Sequence, residues 1–146
     1  MRKARLGVFE TNSSAVHCLV MPEKYLEKSN LKITRGKINV SFLNDDFEFP
    51  CDTQESKLSY LITQIAYKNC GWNWRDLEED SEYRTVKEFV CDYTGAKDIK
   101  IDYSTEPAIN HQAQWGDYTD EFVDTYDKDS VISFIFSPIM VKEYRD

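Results

Sequence analysis

A chain of 146 residues with 41% apolar and 14% aromatic residues can bury one core, and we expect a single domain over residues 1–146. Its four cysteines form no C-x-x-C pair and it has only two histidines, which excludes a zinc site of the usual spacing. No run could span a bilayer, and the basic opening lacks the apolar stretch of a secretion signal. We therefore expect a cytoplasmic protein with free thiols, no membrane contact, no metal and no cofactor.

The net charge of −8 is concentrated in the last third of the chain. Residues 1–50 carry 8 basic and 6 acidic side chains, residues 51–100 carry 7 and 10, and residues 101–146 carry 3 and 10. An acidic field repels phosphate backbones and attracts basic protein surfaces. The charge therefore disfavours direct nucleic-acid binding, although solubility alone is a common reason for such a composition.

The first third of the chain has the alternation typical of strands. Two apolar runs, 5–9 and 16–21, flank a polar turn, and 31–33 and 38–42 alternate around Arg35-Gly36-Lys37, which indicates two hairpins. Between the hairpins, Pro22 followed by Glu23 predicts one or two helical turns over residues 22–26.

The polar turn at residues 10–17 is the densest group of chemically useful side chains. Short polar residues of this kind form turns by bonding to nearby backbone, which is the structural interpretation. In the functional interpretation, Thr11 and Ser14 help to bind a phosphate or carboxylate, while His17, Ser13 and Asn12 are the catalytic candidates. Ser14 and Cys18 lie on the opposite strand face from His17, which leaves Ser13 as its better partner.

The middle third changes to helical spacing. Apolar residues at 58, 61, 62, 65 and 66, a cap at Asp52 or Thr53, and Gly71 as a stop predict a helix over 54–69. A second helix is predicted over 82–94, ending at Gly95. The loop predicted at Gly71–Asp76 carries Trp72 and Trp74, whose rings either plug the core or serve as a binding anchor.

The last third combines two apolar runs with an acidic segment. Ile99, Ile101 and Tyr103 alternate as a strand, and Val131–Phe136 reads as a strand buried on both faces. Residues 117–128, if helical, place aromatic residues on one face and acids away from it. As structure this is an ordinary amphipathic helix; as function, the acids imitate nucleic-acid phosphates in a partner's basic groove, using Asp117, Asp120, Glu121, Asp124, Glu78 and Glu79.

The run Arg5-Leu6-Gly7-Val8-Phe9-Glu10-Thr11-Asn12-Ser13-Ser14, followed by His17, resembles the opening of a group of small uncharacterised proteins of bacteriophages and bacterial mobile elements. Those proteins begin with a short basic stretch, then FETNSS, then a histidine. The resemblance implies a phage-type origin and a place in the host-cell cytoplasm, and it carries no activity with it.

Strand runs separated from helix runs predict an α+β fold: a mainly antiparallel sheet of about five or six strands with two or three helices on one face. Two functions follow. The first is a binding protein that inhibits or modulates a host protein with a basic surface, such as a defence nuclease, through the acidic, aromatic half of the chain. The second is an enzyme or ligand-binding domain for a nucleotide or other phosphorylated small molecule, with the turn Asn12–His17 as its site.

Overall fold

The computed structural model describes residues 22–43, 53–107 and 123–138. In chain order, these form a short 3-10 helix (Glu23–Tyr25), β1 (Ile33–Thr34), β2 (Lys37–Ser41) and α1 (Gln54–Asn69). A second 3-10 segment (Gly71–Glu79), α2 (Ser81–Thr94), β3 (Asp98–Asp102) and α3 (Lys128–Phe136) follow. The helical turns predicted after Pro22 are confirmed.

The three strands form one sheet in the order β1-β2-β3. β1 pairs with β2 antiparallel, and β2 pairs with β3 parallel, with Ile38 opposite Ile99 and Val40 opposite Ile101. The α+β class is correct. The predicted sheet of five or six mainly antiparallel strands is wrong: the described residues contain three strands in a mixed sheet. The parallel pairing requires a long crossover, which α1, the 3-10 segment and α2 provide.

The β1–β2 hairpin is confirmed, and its turn explains the residues found there. Arg35 and Gly36 both have positive φ, 53° and 82°, between the closing pair Thr34 and Lys37. Two residues of positive φ are the requirement of a type I′ turn, whose twist matches that of the strands. A Cβ on Gly36 would also lie 3.3 Å from the Lys97 side chain, so this position favours glycine twice over.

Both predicted long helices are confirmed, with their end signals. Thr53 caps α1 in a reciprocal capping box with Ser56. Asp80 caps α2 by accepting from the Tyr83 amide at 2.9 Å, and Gly95 ends it with φ 84°. α1 is the central helix: Leu61, Ile62 and Ile65 are fully buried, and even its polar residues Gln54, Lys57 and Gln64 are buried.

The run Val131–Phe136 is α-helical, so the predicted central strand is wrong. Every residue from Ser130 to Phe136 is buried, because α3 packs against both α1 and α2. A short run with apolar side chains all round has no periodicity that separates a strand from a buried helix. The sheet instead buries only one face, since Ile38, Val40, Ile99 and Ile101 point inward while Lys37, Asn39 and Lys100 are exposed.

Two smaller predictions also need correction. The predicted loop at Gly71–Asp76 belongs to a 3-10 segment that continues to Glu79. The helix predicted over 117–128 does not include residues 123–127, which form a turn before α3 begins; residues 117–122 lie outside the described part, as do the predicted strands at 5–9 and 16–21. Within the described ranges, no helix is long and apolar enough to cross a membrane.

Candidate functional site

The 3-10 segment begins directly after α1, where Gly71 lets the chain change direction. Gly71 has φ +56° with no neighbouring atom within 4 Å of where a Cβ would lie, so its conformation and not crowding calls for glycine. The chain then runs in 3-10 geometry to Glu79, with one non-helical residue at Asn73. Asp80 ends the segment and caps α2. Only Cys70 and Asp80 therefore separate the segment from α1 and α2.

The 3-10 repeat sorts the side chains of this segment into an inner and an outer row. Residues three apart eclipse in such a helix. Trp74 and Leu77 are therefore on one row, where Leu77 is fully buried and Trp74 is half-buried with the Arg75 guanidinium 5.0 Å from its ring centre. Trp72 precedes the non-helical Asn73 and is 85% exposed. The structure thus divides the two predicted roles: Trp74 plugs the core and Trp72 is available for contact.

Three carboxylates follow the exposed Trp72 in the same 3-10 segment. Asp76, Glu78 and Glu79 are all exposed, and Asp76 and Glu79 make no ion pair in the described part of the chain, where the ion pairs are Lys68–Glu82, Lys87–Asp98 and Lys128–Asp92. We call Trp72, Asp76, Glu78 and Glu79 the acidic surface. An exposed indole in the same short segment as carboxylates that lack an ion-pair partner in the described residues is suited to a partner that offers cations next to an apolar cavity.

Hydrogen bonds from two other elements hold the acidic surface in place. The Tyr103 hydroxyl, just after β3, donates to Glu78 Oε2 at 2.9 Å, and Arg84 Nε on α2 donates to the Glu78 carbonyl at 2.9 Å. Burial raises the pKa of the Tyr103 phenol, and the Glu78 carboxylate raises it further, so the phenol stays a donor at neutral pH. The segment is therefore fixed at both its backbone and its side chains.

The buried carboxylate of Glu82, on α2, connects the turn at residues 123–127 to α1. It accepts from Thr125 Oγ1 at 2.5 Å, Asn69 Nδ2 at 2.8 Å and Lys68 Nζ at 3.2 Å. Burial by itself would raise the pKa of Glu82, but the hydrogen bonds from Thr125 and Asn69 and the charge of Lys68 outweigh it, so the pKa is lowered. Asn69 also donates to Asp80 at 3.1 Å, which links the Glu82 cluster to the end of the acidic surface.

Three of the six predicted partner-binding acids, Glu78, Glu79 and Asp124, are among the described residues. Asp124, beside Thr125, is half-buried and accepts from the Tyr126 amide at 3.1 Å, while Tyr126 itself is 59% exposed. Glu78 and Glu79 lie on the acidic surface. Asp117, Asp120 and Glu121 are outside the described residues, as are all five candidates of the polar turn, Thr11, Asn12, Ser13, Ser14 and His17.

The two described cysteines are free but poorly suited to nucleophilic chemistry. Burial raises the pKa of the Cys70 thiol, and Asp80 and Asp76 raise it further. Burial and then Asp98 raise the pKa of the Cys91 thiol against the opposing charge of Lys87. Thiols of raised pKa are protonated at neutral pH and so are weak nucleophiles. In the described ranges, no group of three or more His, Cys, Asp or Glu residues could hold a metal.

The sequence predicted Glu78 and Glu79 of this site from the local charge, but did not assign Asp76 or Trp72 to it. A usable signal was present: Leu77 follows Trp74 at a spacing of three with charged residues around it, which marks Trp74 as the inward ring. Comparisons with models of known protein families, with curated proteins and with solved structures gave no match. The resemblance of residues 5–17 to phage proteins therefore stays a prediction.

Proposed function

We propose that this protein is a binding protein of phage type that inhibits or modulates a host protein, such as a defence nuclease, by covering a basic groove with its acidic surface. The observation that carries the proposal is the 85% exposure of Trp72 in a segment whose Asp76 and Glu79 carboxylates have no ion-pair partner among the described residues. Large exposed aromatic side chains are enriched at protein contacts, and they dominate binding energy when a partner desolvates them.

Rigidity supports the same function. Glu78 is held by Tyr103 and Arg84, and Asp80 is both a helix cap and an acceptor for Asn69. A surface that is already ordered loses little conformational entropy on binding, so more of its contact energy appears as affinity. The carboxylates speed the encounter with a basic groove, and Trp72 supplies the short-range contact that slows dissociation.

The test uses purified nucleases with basic substrate grooves and measures the inhibition constant for each. Trp72→Ala should weaken inhibition at least about tenfold, since central aromatic residues contribute about 2 kcal/mol or more. Asp76→Lys/Glu79→Lys should weaken it further and reduce its dependence on salt.

The matched control is Glu27→Lys/Glu88→Lys, which makes the same change in net charge at two exposed glutamates away from the acidic surface. It should leave most of the inhibition intact. Equal losses in the control and in Asp76→Lys/Glu79→Lys would reduce the effect to net charge and refute the proposed surface. Failure of the wild type to inhibit any nuclease of the panel would refute the proposed nuclease target.

A further inference from the structure

The exposed end of the sheet carries a cluster of cations in a chain that is otherwise acidic. No acidic residue occurs from Lys28 to Asn44. Five cations, which we call the basic face, are exposed here and make no ion pair with another described residue: Lys32, Arg35, Lys37, Lys97 and Lys100. None of these five residues belongs to the acidic surface.

Strand register and one close contact hold the basic face together. Lys100 is opposite Asn39 in the parallel pair, and Lys37 is next to Asn39 on the same exposed face of β2. The Lys97 amide donates to the Gly36 carbonyl at 2.7 Å, which brings Lys97 to the turn that carries Arg35. Asp98, opposite Lys37, is already paired with Lys87 at 3.0 Å, so its charge is largely compensated.

β3 separates the basic face from the acidic surface. Lys97 directly precedes the strand and contacts the hairpin turn, while Tyr103 directly follows it and bonds to Glu78. From Lys97 to Tyr103 the extended chain rises about 3.3 Å for each of six residues, so these two contacts lie about 20 Å apart. Within the described residues, cations therefore lie near one end of β3 and the Glu78 carboxylate lies near the other.

We propose that the basic face binds the acidic surface of a second copy of this chain, head to tail. Each copy has both a basic face and an acidic surface. In the described residues, Asp76 and Glu79 of the acidic surface have no counter-ion. Arg75 lies among those carboxylates, as Asp98 and Asp102 lie among the lysines, so both surfaces have the mixed charges that a protein contact can match.

A nucleic acid fits the basic face less well than a second copy does. Its phosphates would meet Asp102 on the same strand, and the five residues of the face include no aromatic ring on which a base could stack. A head-to-tail contact is heterologous, so copies add in series and each contact covers one acidic surface.

Sedimentation velocity of the full chain tests the proposal. The wild type should self-associate with rising concentration at an ionic strength of about 0.01 M and dissociate at about 0.5 M, because salt screens exposed charge pairs. Lys32→Glu/Lys37→Glu alone and Asp76→Lys/Glu79→Lys alone should each weaken this association at least about tenfold. An equimolar mixture of the two variants should associate again, since each then supplies the charge that the other lacks.

Three results would overturn the proposal. The first is a wild type that stays monomeric at low salt, and the second is a mixture of folded variants that fails to associate. Circular dichroism establishes folding, and the neutral variant Lys37→Gln should give a partial loss if charge reversal unfolds the hairpin. The third is a wild type that binds a fluorescent single-stranded DNA oligonucleotide as a monomer and loses binding in Lys32→Glu/Lys37→Glu, which would make a polyanion the occupant.

The inference uses the acidic surface of the proposed function but requires no host protein. Failure of self-association would leave nuclease inhibition by the monomer unaffected. Failure of inhibition would leave the salt-dependent self-association in place. The two proposals are thus refuted by different measurements.

Discussion

Replacing Glu82 by Gln is the most informative single change, because Glu82 joins α1, α2 and the turn at 123–127. Its side chain is 10% exposed and accepts from Thr125, Asn69 and Lys68. A hydrogen bond to a charged group contributes about 1.5–3 kcal/mol. The amide oxygen of Gln can keep one neutral bond, but its NH₂ then faces donors.

The expected loss in the free energy of unfolding for Glu82→Gln is about 2 kcal/mol. The Lys68 pair adds little to it, because that ammonium is 37% exposed and such pairs contribute about 0–1 kcal/mol. Thr125→Val should cost about 1.5 kcal/mol, and the double variant should cost about 1 kcal/mol less than the sum, since both remove the same bond. Urea unfolding followed by circular dichroism measures all three.

The pH dependence of the same variant has a definite sign. The folded-state pKa of Glu82 lies below its ordinary value of 4.5, so its stabilisation is complete above about pH 4.5 and is lost as the pH falls through the folded pKa. The stability difference between wild type and Glu82→Gln should therefore be constant from neutral pH down to about pH 5 and shrink below it. Two results together would refute the role of Glu82 in connecting α1, α2 and the turn at 123–127. These are a loss in the free energy of unfolding under about 0.5 kcal/mol for Glu82→Gln, and a double variant whose loss equals the sum of the single losses.

The other predictions concern the ends of α2. Asp80→Ala should lower the free energy of unfolding by about 1 kcal/mol or more in urea, because the Tyr83 amide and the Asn69 amide both lose their acceptor; an unchanged midpoint would show that the cap is dispensable. Gly95→Ala should cost about 1–2 kcal/mol from its φ of 84° alone, as nothing crowds that position, and Gly95→Asn should cost less. Equal costs for the two substitutions would contradict the conformational explanation.

Local signals in the sequence were enough for elements whose ends are chemically marked. A cap at Asp52 or Thr53 and a stop at Gly71 predicted the ends of α1, and the structure selects Thr53 as the cap. The connection Arg35-Gly36-Lys37 predicted a hairpin, which the positive φ of Arg35 and Gly36 explains. Such features depend on residues a few positions apart, where side-chain chemistry acts on the nearby backbone.

Features decided by distant contacts could not be predicted in the same way. The run Val131–Phe136 is apolar on all sides, and only its burial between α1 and α2 makes it a helix and not a strand. The parallel pairing of β2 with β3 joins segments about sixty residues apart. Likewise, Thr125 and Glu82 are 43 residues apart, so no local pattern shows that their side chains form a hydrogen bond.

Hydrogen–deuterium exchange of the complex with an inhibited nuclease tests the central claim most directly. On binding, the amides of residues 71–80 should exchange more slowly, because the acidic surface around Trp72 is covered. Protection confined to residues 11–17, with residues 71–80 exchanging as in the free protein, would contradict the account and make the polar turn of Asn12, Ser13 and His17 the site.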